Sequence, residues 1–282
     1  MTTLGVFDSG FGGLTVLRAL LPKLPEARFL YLGDTARLPY GAKSQATIAR
    51  YAVESARFLE SKGSEHLVIA CNTATALALD DIRAAVSIPV TGVIEPVVAM
   101  SSQTFPAVDT LILATTATVE SHAYRDHCLR AGLHPTEKAC PLLVPLVEEG
   151  WIDHPVTREV LRIYLAEALE QCSPRLVILG CTHYPLIAPL VKETLHALGC
   201  EAAVVDSAEV TAQSVAAQVS AANNQVPRGF SLGSHNAQKE EGALAAATFA
   251  CYATDSVDKF RRLGSHFLGQ PIPQVELLDL GG

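Results

Sequence analysis

Two cysteines in this chain stand where thiol chemistry could be done. Cys71 follows the apolar run Leu67, Val68, Ile69 and Ala70 and opens the polar triplet Cys71-Asn72-Thr73. Cys181 follows the run Leu176 to Gly180 and opens Cys181-Thr182-His183-Tyr184. A thiolate is the effective species, and an ordinary cysteine supplies only about a few per cent of it at neutral pH. A helix N-terminus or polar neighbours lower the pKa of a thiol, and both positions fit that description. As metal ligands, Cys71, Cys181 and His183 lack the close spacing of a metal site. A single nucleophile with a histidine partner would leave the second cysteine without a use. Two acid–base thiols on opposite faces of one carbon use both: one removes a proton, the other returns one, and the centre is inverted. Cys128, Cys140, Cys172, Cys200 and Cys251 have no comparable polar company and are expected to be ordinary thiols.

The elements that must position these residues alternate strand and helix. Residues 4–8 read as a buried strand, Asp8-Ser9-Gly10-Phe11-Gly12-Gly13 as a turn, and 14–21 as a helix. The turn resembles a dinucleotide loop, but Thr15 stands at the third glycine position, so the nucleotide match is weak. Its glycines are expected to let a small ligand approach the backbone, with the helix N–H groups free to hold a carboxylate. Asp8, at the strand end, suits a helix cap, an ammonium partner or support for a base.

Residues 29–34 are a second strand, leading to Pro39-Tyr40-Gly41, a turn placed to fold over a ligand. A helix over 44–62, the Cys71 strand and a strand over 88–96 follow. The second series has a strand over 110–118 feeding Thr115, Thr116 and Thr118, then a helix with His122 and Tyr124. A further strand reaches Pro141 to Val147 and Glu148-Glu149, and a helix over 156–171 leads to the Cys181 strand. A strand over 201–210, a helix near 209–222, a polar loop or insertion over 223–241 and a helix over 255–268 complete the reading. Repeated βα units predict parallel sheets with helices on their faces, in two similar halves whose strand-end cysteines face one cleft.

Composition narrows the class. In 282 residues, hydrophobic side chains make up 49% and aromatic ones only 6%, so Ala, Val, Leu and Ile must build the core. A net charge of -8 argues against nucleic acid as the main partner. No apolar run reaches the ~18 residues that span a bilayer, and the N-terminus lacks the regions of a signal peptide. Seven dispersed cysteines without a CxxC pair suit a reduced, cytoplasmic protein with no bound metal.

The ordered motifs GVFDSGFGGLTV (5–16), GDTARLPYG (33–41), ACNTATA (70–76), GVIEP (92–96), PLVEEG (145–150), LGCTHYPL (179–186) and VDSA (205–208) resemble the glutamate racemases. The likeness resumes at CYATDSVDKFRRLGSHFLG (251–269). It implies an α/β fold of two similar domains, each a mostly parallel sheet flanked by helices, with the active site between them. The expected division is residues 1–96 plus about 209–282 for the first domain and 97–208 for the second. It further implies a cofactor-independent isomerase that interconverts L- and D-glutamate for peptidoglycan synthesis. Cys71 and Cys181 match the family's two bases, Asp8 and His183 their helpers, and Glu148 a further acidic helper. Ser9, Pro39, Tyr40, Gly41, Asn72, Thr73, Thr115, Thr118 and Thr182 match positions that bind the substrate, along with Asp8, His183 and the two cysteines. By resemblance the chain is a homodimer or monomer, and some relatives take a peptidoglycan precursor as activator. The related aspartate racemases typically lack a histidine after the second Cys-Thr, so Cys181-Thr182-His183 favours glutamate. A non-catalytic amino-acid-binding protein could use the same cleft, but would have no need of two facing thiols.

Overall fold

The computed structural model describes residues 1–225 and 248–280, and within them successive strands are joined mostly through one or two helices. The first stretch is β1 (Thr3–Asp8), α1 (Leu14–Leu20), β2 (Arg28–Gly33), α2 (Gln45–Ser61), β3 (His66–Ile69), α3 (Asn72–Ala85), β4 (Val90–Gly92) and α4 (Ile94–Thr104). The second begins with β5 (Asp109–Ala114), α5 (Thr116–Glu120), α6 (Ala123–Arg130), β6 (His134–Ala139) and α7 (Leu143–Glu148). It continues with α8 (Pro155–Leu169), β7 (Leu176–Gly180), α9 (Ala188–Ala197), β8 (Ala203–Asp206) and α10 (Ser207–Gln225). β9 (Thr248–Ala253), α11 (Val257–Leu268) and β10 (Val275–Leu277) follow.

The strands form a six-stranded sheet in the order β10-β9-β2-β1-β3-β4 and a four-stranded sheet in the order β6-β5-β7-β8. Every pairing is parallel. Parallel pairing needs helical crossovers that cover both faces, which is why β3 and β7 read as unbroken apolar runs and are fully buried. The two sheets repeat one topology. From β1 the chain goes to β2 on one side and to β3 on the other; from β5 it goes to β6 on one side and to β7 on the other. Ligands in open α/β sheets bind at such reversals, beyond the carboxyl ends of the strands. One reversal carries Asp8 and Cys71, the other Thr115 and Cys181.

The mixed α/β architecture with mostly parallel sheets is as the sequence implies, but several elements differ in extent. The strand expected over 88–96 is only Val90–Gly92, because Glu95 and Pro96 lie in the first turn of α4, where the missing proline N–H costs no helical bond. The strand expected over 110–118 stops at Ala114, since Thr115 takes the N-cap position of α5. The strand expected over 201–210 stops at Asp206, and α10 begins at once. β9 and β10 were not expected; β9 adds to β2 in full register from Arg28↔Thr248 to Gly33↔Ala253. Of the polar tract at 223–241, the part up to Gln225 belongs to α10 and the rest lies outside the described residues. Among the described residues, no helix is long and apolar enough to cross a membrane.

The core is mainly aliphatic, and four of its largest fully buried side chains are Tyr31, Tyr40, Tyr124 and Tyr184. A buried tyrosine needs a partner for its hydroxyl. Here each hydroxyl donates to a segment near the strand ends: to the Gly10 carbonyl (3.0 Å), Asp34 Oδ2 (2.5 Å), Asn72 Oδ1 (2.7 Å) and the Cys140 carbonyl (3.1 Å). These four tyrosines thus tie down segments near the strand ends.

Candidate active site

On the first lobe, the six-stranded sheet with its helices, β1 ends at Asp8, which is almost wholly buried. Its Oδ2 accepts from the Gly10 N–H (2.9 Å), and its Oδ1 accepts from the Thr182 hydroxyl of the other lobe (3.5 Å). Burial pushes the Asp8 carboxyl up, against the lowering pull of His183 and of the Gly10 and Gly13 N–H groups. Cys71 is the N-cap of α3: the Ala74 N–H points at its Sγ at 3.4 Å, and the thiol donates to Ser9 Oγ at 3.4 Å. The helix N-terminus alone would lower its pKa. Burial wins, with the Asp8 charge adding to it, and Cys71 is pushed up to about 12. That corrects the expectation of an activated thiol: Cys71 rests protonated.

The glycines of the turn do something other than admit a ligand. A Cβ on Gly12 would collide with Thr182 Oγ1 and come within 2.6 Å of His183 Nδ1, and one on Gly13 would lie 2.5 Å from the Asp8 Cβ. Gly12 therefore lets the second lobe close onto the first. Thr15, at the position of the missing third glycine, bridges the lobes by donating within range of both the Gly12 carbonyl (2.8 Å) and the Thr182 carbonyl (3.0 Å).

On the second lobe, the four-stranded sheet with its helices, β7 is followed by Cys181, Thr182 and His183, all buried. Cys181 Sγ lies 3.9 Å from His183 Nδ1, and His183 Nε2 lies 3.1 Å from Glu148 Oε1 at the end of α7. Phe267 of α11 stands edge-on to the imidazole, with centroids 5.1 Å apart. Burial disfavours a charged imidazole, but the hydrogen bonds and charges of Cys181 and Glu148 outweigh it and raise His183 to about 10. An imidazolium thus faces Cys181 at neutral pH, able to act as proton donor or counter-charge for that sulfur. At the end of β5, the hydroxyls of Thr115, Thr118 and Thr73 form a triangle with sides of 2.9, 3.0 and 3.1 Å. Three hydroxyls sharing three contacts spend their three O–H donors on one another. An arriving carboxylate must turn the hydroxyls toward itself.

These groups converge on a cleft of about 420 Å³. Ser9, Pro39, Tyr40, Gly41, Cys71, Asn72, Thr73, Thr115, Glu148, Cys181, Thr182 and His183 all line it. Asp8 and Thr118 do not; they stand behind the wall, Asp8 on Thr182 and Thr118 on Thr73 and Thr115. The Tyr40 hydroxyl is taken by Asp34, which also accepts from Arg37 and Thr254. Pro141, Val144 and Pro145 before Glu148, and Glu149 after it, line the cleft too, although the sequence assigned them no role. Among the described residues that line it, none is Lys or Arg. The lining side chains that can donate to an anion are therefore hydroxyls, the Asn72 amide and the His183 imidazole.

Comparison with known proteins identifies the family. A family profile described as Asp/Glu/Hydantoin racemase matches residues 15–215. The glutamate racemase of Koribacter versatilis is 49% identical over 290 aligned residues, covering 99% of this chain and 98% of that protein. The glutamate racemase of Thermus thermophilus, solved in complex with beta-chloro-D-alanine, superposes with a TM-score of 0.82 at 40% identity, over 99% of this chain and 97% of that one. The glutamate racemase of Francisella tularensis, solved in complex with D-glutamate, superposes with a TM-score of 0.84 at 30% identity, over 99% of this chain and 98% of that one. The chain belongs to the Asp/Glu/hydantoin racemase family and is a racemase, an isomerase similar over its whole length to the glutamate racemases.

Proposed function

We propose that this racemase interconverts L- and D-glutamate by two-base proton transfer at Cα, with Cys71 and Cys181 as the bases. The observation that carries the reading is one small cleft with a thiol on each lobe, lined by hydroxyls and an amide. The D-glutamate in the Francisella tularensis complex supports the choice of substrate. In one direction the Cys181 thiolate takes the α-proton of L-glutamate, leaving Cys181 as a thiol and carbanion character at Cα. The Cys71 thiol then delivers its proton to the opposite face, leaving a Cys71 thiolate and D-glutamate. The reverse direction exchanges the roles. Cys71, protonated at rest, is ready for the first direction.

Asn72, Thr73, Thr115 and Thr182 hold the carboxylates and amino group, with the Ser9 and Pro39-Tyr40-Gly41 loops closing over them. Thr118 and Asp8 act from behind, and Glu148 keeps His183 charged. Without an electron sink in the substrate, the carbanion depends on preorganised donors and on exclusion of water. The two lobes comprise residues 1–96 with 209–282, and residues 97–208. The product serves peptidoglycan synthesis in the cytoplasm, where the free cysteines stay reduced.

Purified protein should convert L-glutamate to the racemate without pyridoxal phosphate or added metal, and in deuterated water the product should carry solvent label at Cα. L-aspartate should turn over about a hundredfold more slowly or less. Faster turnover of aspartate, or inversion without label, would overturn the assignment.

The charge on His183 gives a separate expectation for pH. Its pKa is raised from 6.5 to about 10, so its contribution to stability is fully present below pH 6.5 and is lost as pH rises through about 10. Glu148→Gln removes one cause of that rise. The alkaline limb of kcat/KM should move down by about 1–3 pH units, the usual effect of losing a close opposite charge. An unmoved limb would show that Glu148 does not set the charge on His183.

A further inference from the structure

We propose that Tyr124 is a positioning residue that aims the amide nitrogen of Asn72 into the cleft, where it donates to a carboxylate of the substrate. The inference rests on the glutamate reading above and deepens it. Tyr124 lies in α6 of the second lobe and is fully buried. Its hydroxyl donates to Asn72 Oδ1 at 2.7 Å, across the lobe boundary, beside Cys71. Asn72 is itself only 3% exposed and lines the cleft. Its Nδ2 is buried and has no hydrogen-bond partner.

Buried amide donors are seldom left unmet, because each forfeits the hydrogen bonds it had in water. The atom that completes this one must be an acceptor brought by the ligand. Of the polar groups of glutamate, the ammonium offers only donors, whereas a carboxylate is acceptor-only and makes the stronger, charge-assisted bond. Tyr124 settles which end of the amide faces the ligand. A side-chain amide has nearly the same shape after a half-turn, and only its partners distinguish the oxygen from the nitrogen. The buried tyrosine hydroxyl donates its one proton to the amide oxygen, which a half-turn would leave unmet, so the nitrogen is left for the cleft. Without that hydroxyl the half-turned amide would present its oxygen to the carboxylate. The other three fully buried tyrosines bond to backbone carbonyls or to Asp34, and only this one holds a side chain of the cleft wall. Because donor and acceptor sit on different lobes, the amide is aimed only while the lobes are together.

The test is calorimetric binding of D-glutamate to the full chain and to Tyr124→Phe, Asn72→Ala and the double variant. The phenylalanine ring fills the same space, so the fold is kept. Tyr124→Phe should weaken binding about tenfold to a hundredfold, the range for one hydrogen bond to a charged group. In the Asn72→Ala background the same change should have no further effect, which a merely structural role for the ring would not give. Asn72→Asp should bind more weakly than Asn72→Ala, since one carboxylate would then face another. Unchanged affinity in Tyr124→Phe, an equal loss in both backgrounds, or tighter binding by Asn72→Asp than by Asn72→Ala would each overturn the proposal. Racemisation by the parent protein is read alongside. Binding that follows the expected pattern without inversion would defeat the two-base reading and leave this one standing, while no binding of glutamate would defeat both.

Discussion

Cys71→Ser and Cys181→Ser should each lower racemisation of both enantiomers by about 10³-fold or more. Every turnover uses one sulfur to take the proton and the other to give one, so neither direction survives the loss of either. Positioned acid–base groups contribute about 10²–10⁴-fold each, and serine is a far weaker acid than cysteine. Both sulfurs belong to residues 5% exposed, and serine fits the space, so the folded structure should persist. A finer result is expected in deuterated water. With Cys181 intact, Cys71→Ser should still exchange the α-proton of L-glutamate without inverting it, and Cys181→Ser should do the same for D-glutamate only. Near-normal turnover in either variant would rule out two bases, and exchange of the wrong enantiomer would reverse the assignment.

Gly12→Ala should be almost as damaging, although glycine 12 carries no chemistry. The new methyl group has nowhere to go: it meets Thr182 Oγ1 and His183 Nδ1, and the backbone of the second lobe is held nearby by the bond from Thr15. Either the lobes part or His183 swings away from its place 3.9 Å from Cys181. Displacement of a reacting group by about 1 Å costs about 10²-fold, and kcat/KM should fall by at least that much in both directions. Overpacking of this kind also costs about 1–3 kcal/mol of stability, readable as a lowered thermal midpoint. A variant with normal activity would mean that the lobes need not approach this closely for turnover.

Much of the site is legible along the chain. The unbroken apolar runs before Cys71 and Cys181 identify buried parallel strands, and chain order then dictates that a thiol, a hydroxyl and an amide or imidazole emerge at their carboxyl ends. The repeated βα pattern conveys two sheets for the same reason, since period and length are local properties. β9 escaped this reading because its partner β2 precedes it by most of the chain, from Arg28↔Thr248 onward, and a long-range pairing leaves no local pattern. The helix expected over 255–268 was found as α11 (Val257–Leu268), yet nothing in its pattern tells that Phe267 stands against His183.

The chemistry of the cysteines divides in the same way. Sequence alone determined that Cys71 would close a buried strand and that His183 would follow Cys181 by two residues, because both are read from the order of residues along the chain. Only the tertiary structure decided that Cys71 rests as a thiol, since burial and the charge of Asp8 outweigh the helix terminus. It likewise decided that Gly12 admits Thr182 and His183 rather than a ligand, and that Tyr124 holds Asn72 from the other lobe. Desolvation, steric contact and hydrogen bonding across a cleft depend on which distant segments meet. The order of residues sets each segment's own shape and chemistry, and folding sets the surroundings in which that chemistry acts.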